Sequence, residues 1–274
     1  MTTELAPELQ ELLRVGDRIA AVGEPSAGAF DVLYAPFGRS ALMSAGVPTV
    51  SLIVDLLHRD LPAALPIEEI NYRHEWFSQI ATVATSFQCI SHYTAERLQA
   101  HYGVDPRRCV VTHIPVHTRL VSTDDRAAAV PPPVNGPFFF YPANFWPHKN
   151  HATLLAAYRD YCDNRPGAAW PLVFTGHPDA SMHALVAQAA AMGLDGRVRF
   201  LGHVSEDELV AVWRAAGALV YPSLHEGFGI PLLEAMAFGC PIIASNTTSM
   251  PEVGGDACEY VDPRDARSIA EALR

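Results

Sequence analysis

The sequence predicts an α/β protein built on parallel β-sheets, and three observations carry this prediction. Short runs rich in Val, Ile, Leu and Phe alternate with helical patterns along the 274 residues. These runs are almost continuously apolar, as in strands that helices cover on both faces. In addition, 49% of the residues are hydrophobic, which is enough to fill one large core or two ordinary ones.

In the first half of the chain, four apolar runs predict buried strands. They lie at residues 31–37, 48–57, 87–91 and 108–116. The stretch 67–85 has the periodicity of a helix. Residues 122–137 combine acids, alanines, three consecutive prolines and an Asn-Gly pair. This composition predicts a linker and therefore a domain boundary.

The second half repeats the alternation more regularly. Strands are predicted at 138–143, 171–176, 198–202, 218–223, 241–245 and 258–262. Helices are predicted at 150–162, 181–192, 206–216, 231–238 and 265–273. Ser205 followed by Glu208 is the sequence of a capping box at the third helix. Parallel sheets bind ligands beyond the carboxyl ends of their strands, so we expect function in the loops after Gly176, Gly202 and Ser223.

Charge and composition restrict the class of ligand. A formal net charge of −11 argues against nucleic-acid binding, which needs a basic surface. A single nucleotide is compatible with this charge, because a few local donors can hold one diphosphate. The five cysteines form no CxxC pair and predict reduced thiols. Without a signal sequence or an apolar run of membrane-spanning length, we expect a soluble cytoplasmic protein.

The stretch HEGFGIPLLEAMAFGCP, residues 225–241, places two acids around a glycine-rich turn. We expect Pro231 at the first position of a helix and Ile230 as its N-cap. Ile230 has no side-chain oxygen to satisfy the exposed amides at a helix start, and Gly227 and Gly229 precede it. The helix start therefore predicts an anion site, such as one for a phosphate group.

Glu234 is the one charged residue in a helix that is otherwise apolar around its circumference, which predicts that the helix is buried. A buried carboxylate is costly unless it is paired or hydrogen-bonded, and the hydroxyls of a ribose would satisfy it. Glu226 lies in the loop and is expected to face the same cleft. The alternative is structural: Glu234 pairs with an arginine or an amide, and Glu226 is solvated.

These stretches resemble a known family. HEGFGIPLLEAMAFGCPIIAS is similar to the EGFG-x-x-x-x-E signature of the family 4 retaining glycosyltransferases, which have the GT-B fold. FYPANFWPHKNH, LVFTGHP, VRFLGHVSEDELVAVWRAAGALVYPS and MPEVGGDACEYVDP resemble the family's donor domain in order and spacing. FQCISHYTAERLQAHYGVDPRRCVVTHIPV resembles the last part of its acceptor domain.

The resemblance implies two Rossmann-like parallel-sheet domains of the GT-B type. Residues 1–121 would form an incomplete N-terminal acceptor-side domain. Residues 122–137 would be the linker, and residues 138–274 a nearly complete C-terminal domain for the nucleotide sugar. Compared with the family, both ends of the sequence look short, since further N-terminal strands and a C-terminal helix are expected.

The resemblance also implies the site residues. Glu226 would contact hydroxyls of the donor sugar and Glu234 the ribose, while Lys149 would neutralise the leaving diphosphate. Amides of the EGFG loop would meet the diphosphate and sugar, and three backbone positions after a strand would border the nucleobase. The loop amides belong to Gly227, Phe228, Gly229 and Ile230; the base positions are Gly202, His203 and Val204, with Gly176 nearby. Asp55 and His58 are expected to face the cleft from the acceptor side and contribute to catalysis.

The implied reaction transfers a hexose-type sugar from a UDP- or GDP-linked donor to a glycan or lipid-linked acceptor, with retention of configuration. It needs neither a cofactor nor a metal ion. By analogy with members that assemble surface polysaccharides, a mannose- or rhamnose-like donor is expected. Association with the inner face of the membrane is expected to be peripheral.

Two departures from the family leave alternatives open. Ala143, followed by Asn144, stands where many members have a second diphosphate-binding arginine, and Val54 stands where the family has a histidine. Val54 and the missing N-terminal strands motivate the second hypothesis, a catalytically inactive remnant that binds nucleotide. The third hypothesis is an epimerase or phosphorylase relative of the same architecture, which the EGFG motif fits less well. His148 and His151 do not favour a metal site, because no third ligand stands at a suitable spacing. His113 and His117 flank IPV, which is typical of a strand followed by a bend, so a ligand pair is not favoured there either.

Overall fold

The computed structural model describes residues 31–36, 38, 48–115 and 130–274. Within these ranges the chain forms two sheets, one in the first half (residues 31–115) and one in the second half (residues 130–274). Both sheets are parallel throughout, so the predicted α/β class is confirmed. Position 37, His117 and the predicted linker residues 122–129 lie outside the described residues, and the domain boundaries remain a prediction.

The sheet of the first half has four strands in the order β1-β2-β3-β4. The strands are β1 (Leu33–Ala35), β2 (Thr49–Ile53), β3 (Ser86–Cys89) and β4 (Cys109–Val111). Helices α1 (Leu57–Asp60), α2 (Ile67–Val83) and α3 (His92–Tyr102) connect them. Ile53, Phe77, Phe87 and Leu98 are buried between the sheet and these helices.

The apolar pattern does not predict helix α3, because most of its residues are polar. Local capping explains its bounds. The hydroxyl of Ser91, at the N-cap, accepts a hydrogen bond from the amide of Thr94 at 3.0 Å. Gly103 ends the helix in the left-handed conformation, with φ of 63°. This helix matters below because its N-terminus contacts the second half of the chain.

The sheet of the second half has six strands in the order β10-β9-β8-β5-β6-β7. They are β5 (Phe139–Pro142), β6 (Leu172–Thr175), β7 (Val198–Phe200), β8 (Ala218–Tyr221), β9 (Ile242–Ser245) and β10 (Cys258–Val261). Each coincides with a predicted apolar run. Strands β6, β8 and β9 are buried at every residue, which is why they are so strongly apolar.

Helices cover this sheet. They are α4 (His151–Asn164), α5 (Ala180–Ala191), α6 (Glu206–Ala215), α7 (Ile230–Ala237), α8 (Met250–Gly254) and α9 (Ala266–Ala272). The predicted capping box is present at α6, where Ser205 and Glu208 hydrogen-bond reciprocally. No helix in the described part of the chain is both long and apolar enough to cross a bilayer.

The strand order fixes where a ligand site is expected. From β5 the chain adds β6 and β7 on one side, and then β8, β9 and β10 on the other. The direction therefore reverses between β5 and β8, and the loops that leave these two strands diverge there. A crevice of this kind, beyond the carboxyl ends of parallel strands, is the usual ligand site in open α/β sheets.

Candidate active site

Lys149 and Glu226 meet at this crevice. Lys149 follows β5, Glu226 follows β8, and the lysine Nζ lies 2.5 Å from Glu226 Oε1. The hydroxyl of Tyr221, at the end of β8, accepts a hydrogen bond from Lys149 at 3.1 Å and donates one to Glu226 at 2.9 Å. Both charged side chains are only 12% exposed, so solvent screens the pair weakly.

The backbone around Lys149 is fixed from several sides. Pro147–Lys149 form a single 3₁₀ turn, and Asn150 follows in the left-handed conformation at φ of 64°. The hydroxyl of Tyr141 donates to the carbonyl of Lys149 at 2.6 Å. The side-chain amide of Asn150 (Nδ2) donates to the carbonyls of Pro222 at 3.0 Å and Pro263 at 2.6 Å. The lysine therefore stands on a loop that is tied to the chain leading to Glu226.

The carbonyl groups of the EGFG loop, residues 226–229, are held from behind by hydroxyl groups. Ser249 Oγ lies 3.0 Å from both the Glu226 and the Phe228 carbonyl oxygens. Ser91 Oγ, from the first half, donates to the Gly227 carbonyl at 2.7 Å. A trans peptide places each carbonyl opposite the next N–H, so the amides of residues 227–229 point away from these hydroxyls. This orientation presents donors to an anion.

Helix α7 begins one residue earlier than predicted. Its N-cap is Gly229, at φ of 99°, and not Ile230, because glycine adopts this conformation without strain. Among the described residues no side chain caps the helix start. Ile230 is 44% exposed, so the start is open. Only Leu232 and Ala235 of this helix are fully buried, which corrects the expectation that the helix is buried around its whole circumference.

A cavity of about 380 Å³ contains these groups. Six predicted residues of the second half line it: Lys149, Glu226, Gly227, Phe228, Gly229 and Ile230. Asp55 lines it from the first half. The positions that depart from the family, Val54, Ala143 and Asn144, line it as well.

A second cavity, of about 430 Å³, adjoins the first and shares Asp55, Trp146, Glu226 and Gly227 with it. Its walls are mostly apolar. Trp146 is 53% exposed although it is aromatic, and it stands between the two cavities. Asp55 Oδ1 accepts the amide of Leu57 at 2.9 Å and lies 3.3 Å from Arg73 Nη1, which orients this carboxylate at the junction.

The other predicted residues do not line either cavity. Glu234 lies one turn inside α7 and is partly buried. His203 and Val204 follow β7 at the edge of the sheet, beside Gly202. Gly176 has a packing role: a Cβ there would lie 2.4 Å from the Ala143 carbonyl oxygen, and its amide donates to Gly202 at 3.0 Å. The ribose and base assignments of these residues therefore stay predictions.

His58 does not face the cleft, which corrects the expectation from the sequence. Its side chain is only 1% exposed, stacks on Phe77 with ring centroids 4.9 Å apart, and hydrogen-bonds Tyr102 at 2.7 Å. Burial, together with Arg73, lowers the pKa of His58 to about 4, so the ring is neutral near pH 7. It is a core residue of the first half.

His148 and His151 are both buried. His151 stacks on Tyr141, with ring centroids 4.7 Å apart, and burial lowers its pKa to about 3. Burial and the neighbouring Lys149 likewise lower the pKa of His148 to about 4. Both rings are buried neutral groups that support the loop of Lys149.

The two halves touch directly at the EGFG loop. A Cβ built on Gly227 would lie 1.7 Å from the carbonyl oxygen of Val54, so only glycine fits. Next to it, His225 Nε2 lies 3.0 Å from Asp60 Oδ2, which belongs to α1 of the first half. Thr94, on α3, adds a hydroxyl 3.2 Å from the Gly227 carbonyl.

Sequence reasoning missed Tyr221, Asp60 and His225. Tyr221 carries one detectable signal, since it is the only polar group of the run ALVY and stands at its carboxyl end. The partners of Asp60 come from α3 and from His225, next to the EGFG loop, 33 to 165 residues away along the chain. No local pattern signals such a contact.

The fold and the site define the class: this is a protein of the GT-B architecture, with a cleft between two parallel-sheet units. The profile of the family described as glycosyl transferases group 1 matches residues 123–274. The chain belongs to this family.

Curated relatives agree with this assignment. The chain is 38% identical over 136 residues to O-antigen chain mannosyltransferase B of Escherichia coli, covering 48% of this chain and 35% of that protein. It is 32% identical over 203 residues to a D-inositol 3-phosphate glycosyltransferase of Rhodococcus jostii, covering 70% of this chain and 45% of that protein. These matches thus span less than half the length of either relative.

Solved structures show the same fold. A glycosyltransferase from Rickettsia africae superposes with a TM-score of 0.68 at 15% identity, covering 89% of this chain and 65% of that one. HepE of Anabaena, in complex with UDP and glucose, superposes with a TM-score of 0.70 at 18% identity. That match covers 89% of this chain and 67% of HepE.

Proposed function

We propose that this chain transfers a hexose-type sugar from a nucleoside-diphosphate donor to a glycan or lipid-linked acceptor, with retention and without a metal ion. The observation that carries the proposal is the Lys149–Glu226 pair, held with Tyr221 where the strand order reverses. Family membership supports the same reaction class.

Lys149 is assigned to the diphosphate. It is the only lysine among the 274 residues, and it lines the same cavity as the start of helix α7. A cation and free amides on one wall suit a pyrophosphate, because negative charge accumulates on it as the glycosidic bond breaks. The loop amides of residues 227–229 supply further donors. These groups replace the metal ion that other transferases use.

Glu226 is assigned to the sugar. In the structure its carboxylate is shared between Lys149 and Tyr221, which orients it. When the diphosphate draws the lysine toward itself, the carboxylate is released to accept hydrogen bonds from sugar hydroxyls. Glu234 is assigned to the ribose, and the ends of β6 and β7 to the base. The names of the mannosyltransferase relatives make mannose the first sugar to test.

The acceptor is assigned to the second cavity. Its apolar walls, the exposed indole of Trp146 and the carboxylate of Asp55 form a surface on which a sugar ring can stack while its hydroxyls are bound. Both cavities include Glu226 and Gly227, so donor and acceptor would meet there.

The binding-only alternative has its own support in the structure. Val54 is 49% exposed at the cleft, where it offers no proton-transferring group, and Asn144 offers no cation. A thermal-shift panel of UDP-, GDP- and dTDP-sugars identifies the donor, because preferential binding to the folded state raises the melting temperature. A transfer assay with that donor then separates the two functions, since binding without turnover favours the alternative.

The single lysine allows a direct test of its role. An amine-reactive reagent, followed by mass spectrometry, reports on one side-chain amine only, and saturating UDP or GDP should protect it. Lys149→Ala should weaken binding of the free nucleotide by about 1.5–3 kcal/mol, the value of a charged hydrogen bond. Glu226→Gln is the matched variant and should reduce transfer while sparing the nucleotide. Equal labelling with and without nucleotide contradicts the assignment.

A further inference from the structure

Three potential metal ligands converge outside the proposed active site. They are His92 at the start of α3, His113 after β4, and Glu252 on α8. One ligand atom from each lies within 4.8 Å of the others, and His113 Nε2 is 2.8 Å from Glu252 Oε1. The two imidazole rings stand nearly perpendicular, with centroids 6.1 Å apart. Two histidines and one carboxylate are a common ligand set for zinc.

The carboxylate is fixed in place before any ion binds. Glu252 Oε1 accepts the amide of His92 at 2.7 Å, and Oε2 accepts that of Tyr93 at 3.0 Å. Carboxylates that bind metal ions in proteins are themselves held by hydrogen bonds of this kind, which fix their orientation.

The histidines, in contrast, can adapt. His92 is exposed, and the His113 side chain is 52% exposed, so small rotations can bring both nitrogens from hydrogen-bonding to coordination distance. Both rings also line an open cavity of about 570 Å³, together with Glu96 and Cys109. This cavity provides an entry path and space for water at a fourth coordination position.

We propose that His92, His113 and Glu252 bind a divalent cation of the zinc class. On binding, the cation takes the place of the hydrogen bond between His113 Nε2 and Glu252 Oε1: the neutral imidazole carries its proton on Nδ1, and the Nε2 lone pair faces the cation. The proposal goes beyond the sugar-transfer function, whose assigned groups include no metal.

The site would join the two halves of the chain, because His92 and His113 belong to the first half and Glu252 to the second. His113 also packs against Phe228 of the EGFG loop, with ring centroids 5.7 Å apart. A bound ion therefore stabilises the arrangement in which this loop contacts the first half. It should raise the melting temperature of the whole chain, since it binds the folded state preferentially.

Calorimetric titration of tag-free, chelator-treated protein with Zn²⁺ and Ni²⁺ tests the proposal. We expect one saturable site, and His113→Ala or His92→Ala should each weaken it by more than about tenfold. His183→Ala is the matched control, because this histidine is exposed on α5, away from the cluster, and affinity should not change. Zn²⁺ should raise the melting temperature of the parent and the control but not of His113→Ala.

Cysteine ligation is the main competing explanation, because Cys109 lines the same cavity. The Co²⁺ derivative distinguishes the two, since thiolate ligands add an intense charge-transfer band that imidazole and carboxylate ligands lack. Such a band, or loss of binding in Cys109→Ser with retention in both histidine variants, overturns the proposal. Unchanged affinity in both histidine variants, or binding at these residues without a thermal shift, also overturns it.

Discussion

Asp60 accepts a 3.0 Å hydrogen bond from His225 across the interface between the two halves. His225 immediately precedes Glu226 in the chain. The same carboxylate also accepts from Arg97 at 2.6 Å, His101 at 2.7 Å and the Tyr93 hydroxyl at 3.1 Å, and it is only 7% exposed. Burial would raise the pKa of Asp60, but hydrogen bonds from His225, His101 and Arg97 outweigh it and hold the pKa well below its usual range. The EGFG loop is thus anchored to an ionised group of the other half.

Replacing this anchor should affect the loop more than the nucleotide. Asp60→Asn retains the size of the side chain but weakens its acceptance from four donors, so we expect a loss of about 2 kcal/mol in the free energy of unfolding. Sugar transfer should decrease while the affinity for free UDP or GDP changes little. A double-mutant cycle with His225→Gln should give a coupling of about 0.5–3 kcal/mol. Strict additivity of the two variants would show that the contact carries no energy.

Gly227→Ala tests the close contact between the halves. The added Cβ would lie 1.7 Å from the Val54 carbonyl oxygen, so the loop must move away from the first half. We expect loss of transfer activity and a lower melting temperature. Ser91→Ala is the comparison, because it removes the 2.7 Å hydrogen bond to the same loop without a clash; since it also removes the N-cap of α3, it should cost about 2 kcal/mol. Equal effects of the two variants would argue against the steric explanation.

Asn150 combines a strained backbone with two buried hydrogen bonds, and two substitutions separate these contributions. Asn150→Gly removes the hydrogen bonds to Pro222 and Pro263 but tolerates φ of 64°. Asn150→Ala removes the same bonds and adds the left-handed strain, so it should be less stable than the glycine variant by about 1 kcal/mol. Urea denaturation measures the difference. A more stable alanine variant would mean that the backbone relaxes.

The buried His151 should make the protein sensitive to acid. Its pKa falls from 6.5 to about 3 on folding, mainly through burial. Below pH 6.5 the unfolded chain therefore binds a proton that the folded chain does not, and stability decreases as the pH falls toward 3; above pH 6.5 the effect vanishes. From pH 8 to pH 5 this contribution is about 2 kcal/mol.

Replacing His151 with an apolar aromatic residue tests whether this histidine causes the acid sensitivity. His151→Phe fits among the aromatic side chains of Tyr141, Phe145 and Phe174 and carries no titrating group. Its stability should be close to that of the parent at pH 8 and higher than that of the parent at pH 5. Denaturant titrations at the two pH values measure the free energy of unfolding of the parent and of the variant. If the parent and the variant lose the same amount of stability between pH 8 and pH 5, the acid sensitivity belongs to other groups, such as His58 and His148.

The sequence predicts the second sheet well because its strands are buried on both faces. The run 218–223, for example, becomes β8 at Ala218–Tyr221 with every residue buried. Helix α3 escapes the apolar pattern because it is polar along most of its length, and only Ser91 and Gly103 signal its ends. The periodicity of apolar residues detects buried elements. It fails for a helix whose bounds are set by capping residues and not by burial.

The site is predicted where its residues share one loop and is missed where they meet across the interface. Glu226 and its glycines are contiguous, so their common position in the cavity follows from the local pattern. His58 was wrongly placed because its burial depends on Phe77 and Tyr102, which come from two other helices. The cluster of His92, His113 and Glu252 was invisible for the same reason, since each ligand belongs to a different segment.

The contact of Gly227 with Val54 joins the halves through main chain alone. Main-chain atoms do not change when side chains are substituted. Substitutions can therefore alter the rim of the cleft without changing how the two halves are positioned relative to each other. Evolution can then exchange one sugar or acceptor preference for another while the geometry of closure is inherited unchanged. This freedom to vary the cleft requires glycine at position 227, where a hydrogen atom stands in place of a side chain.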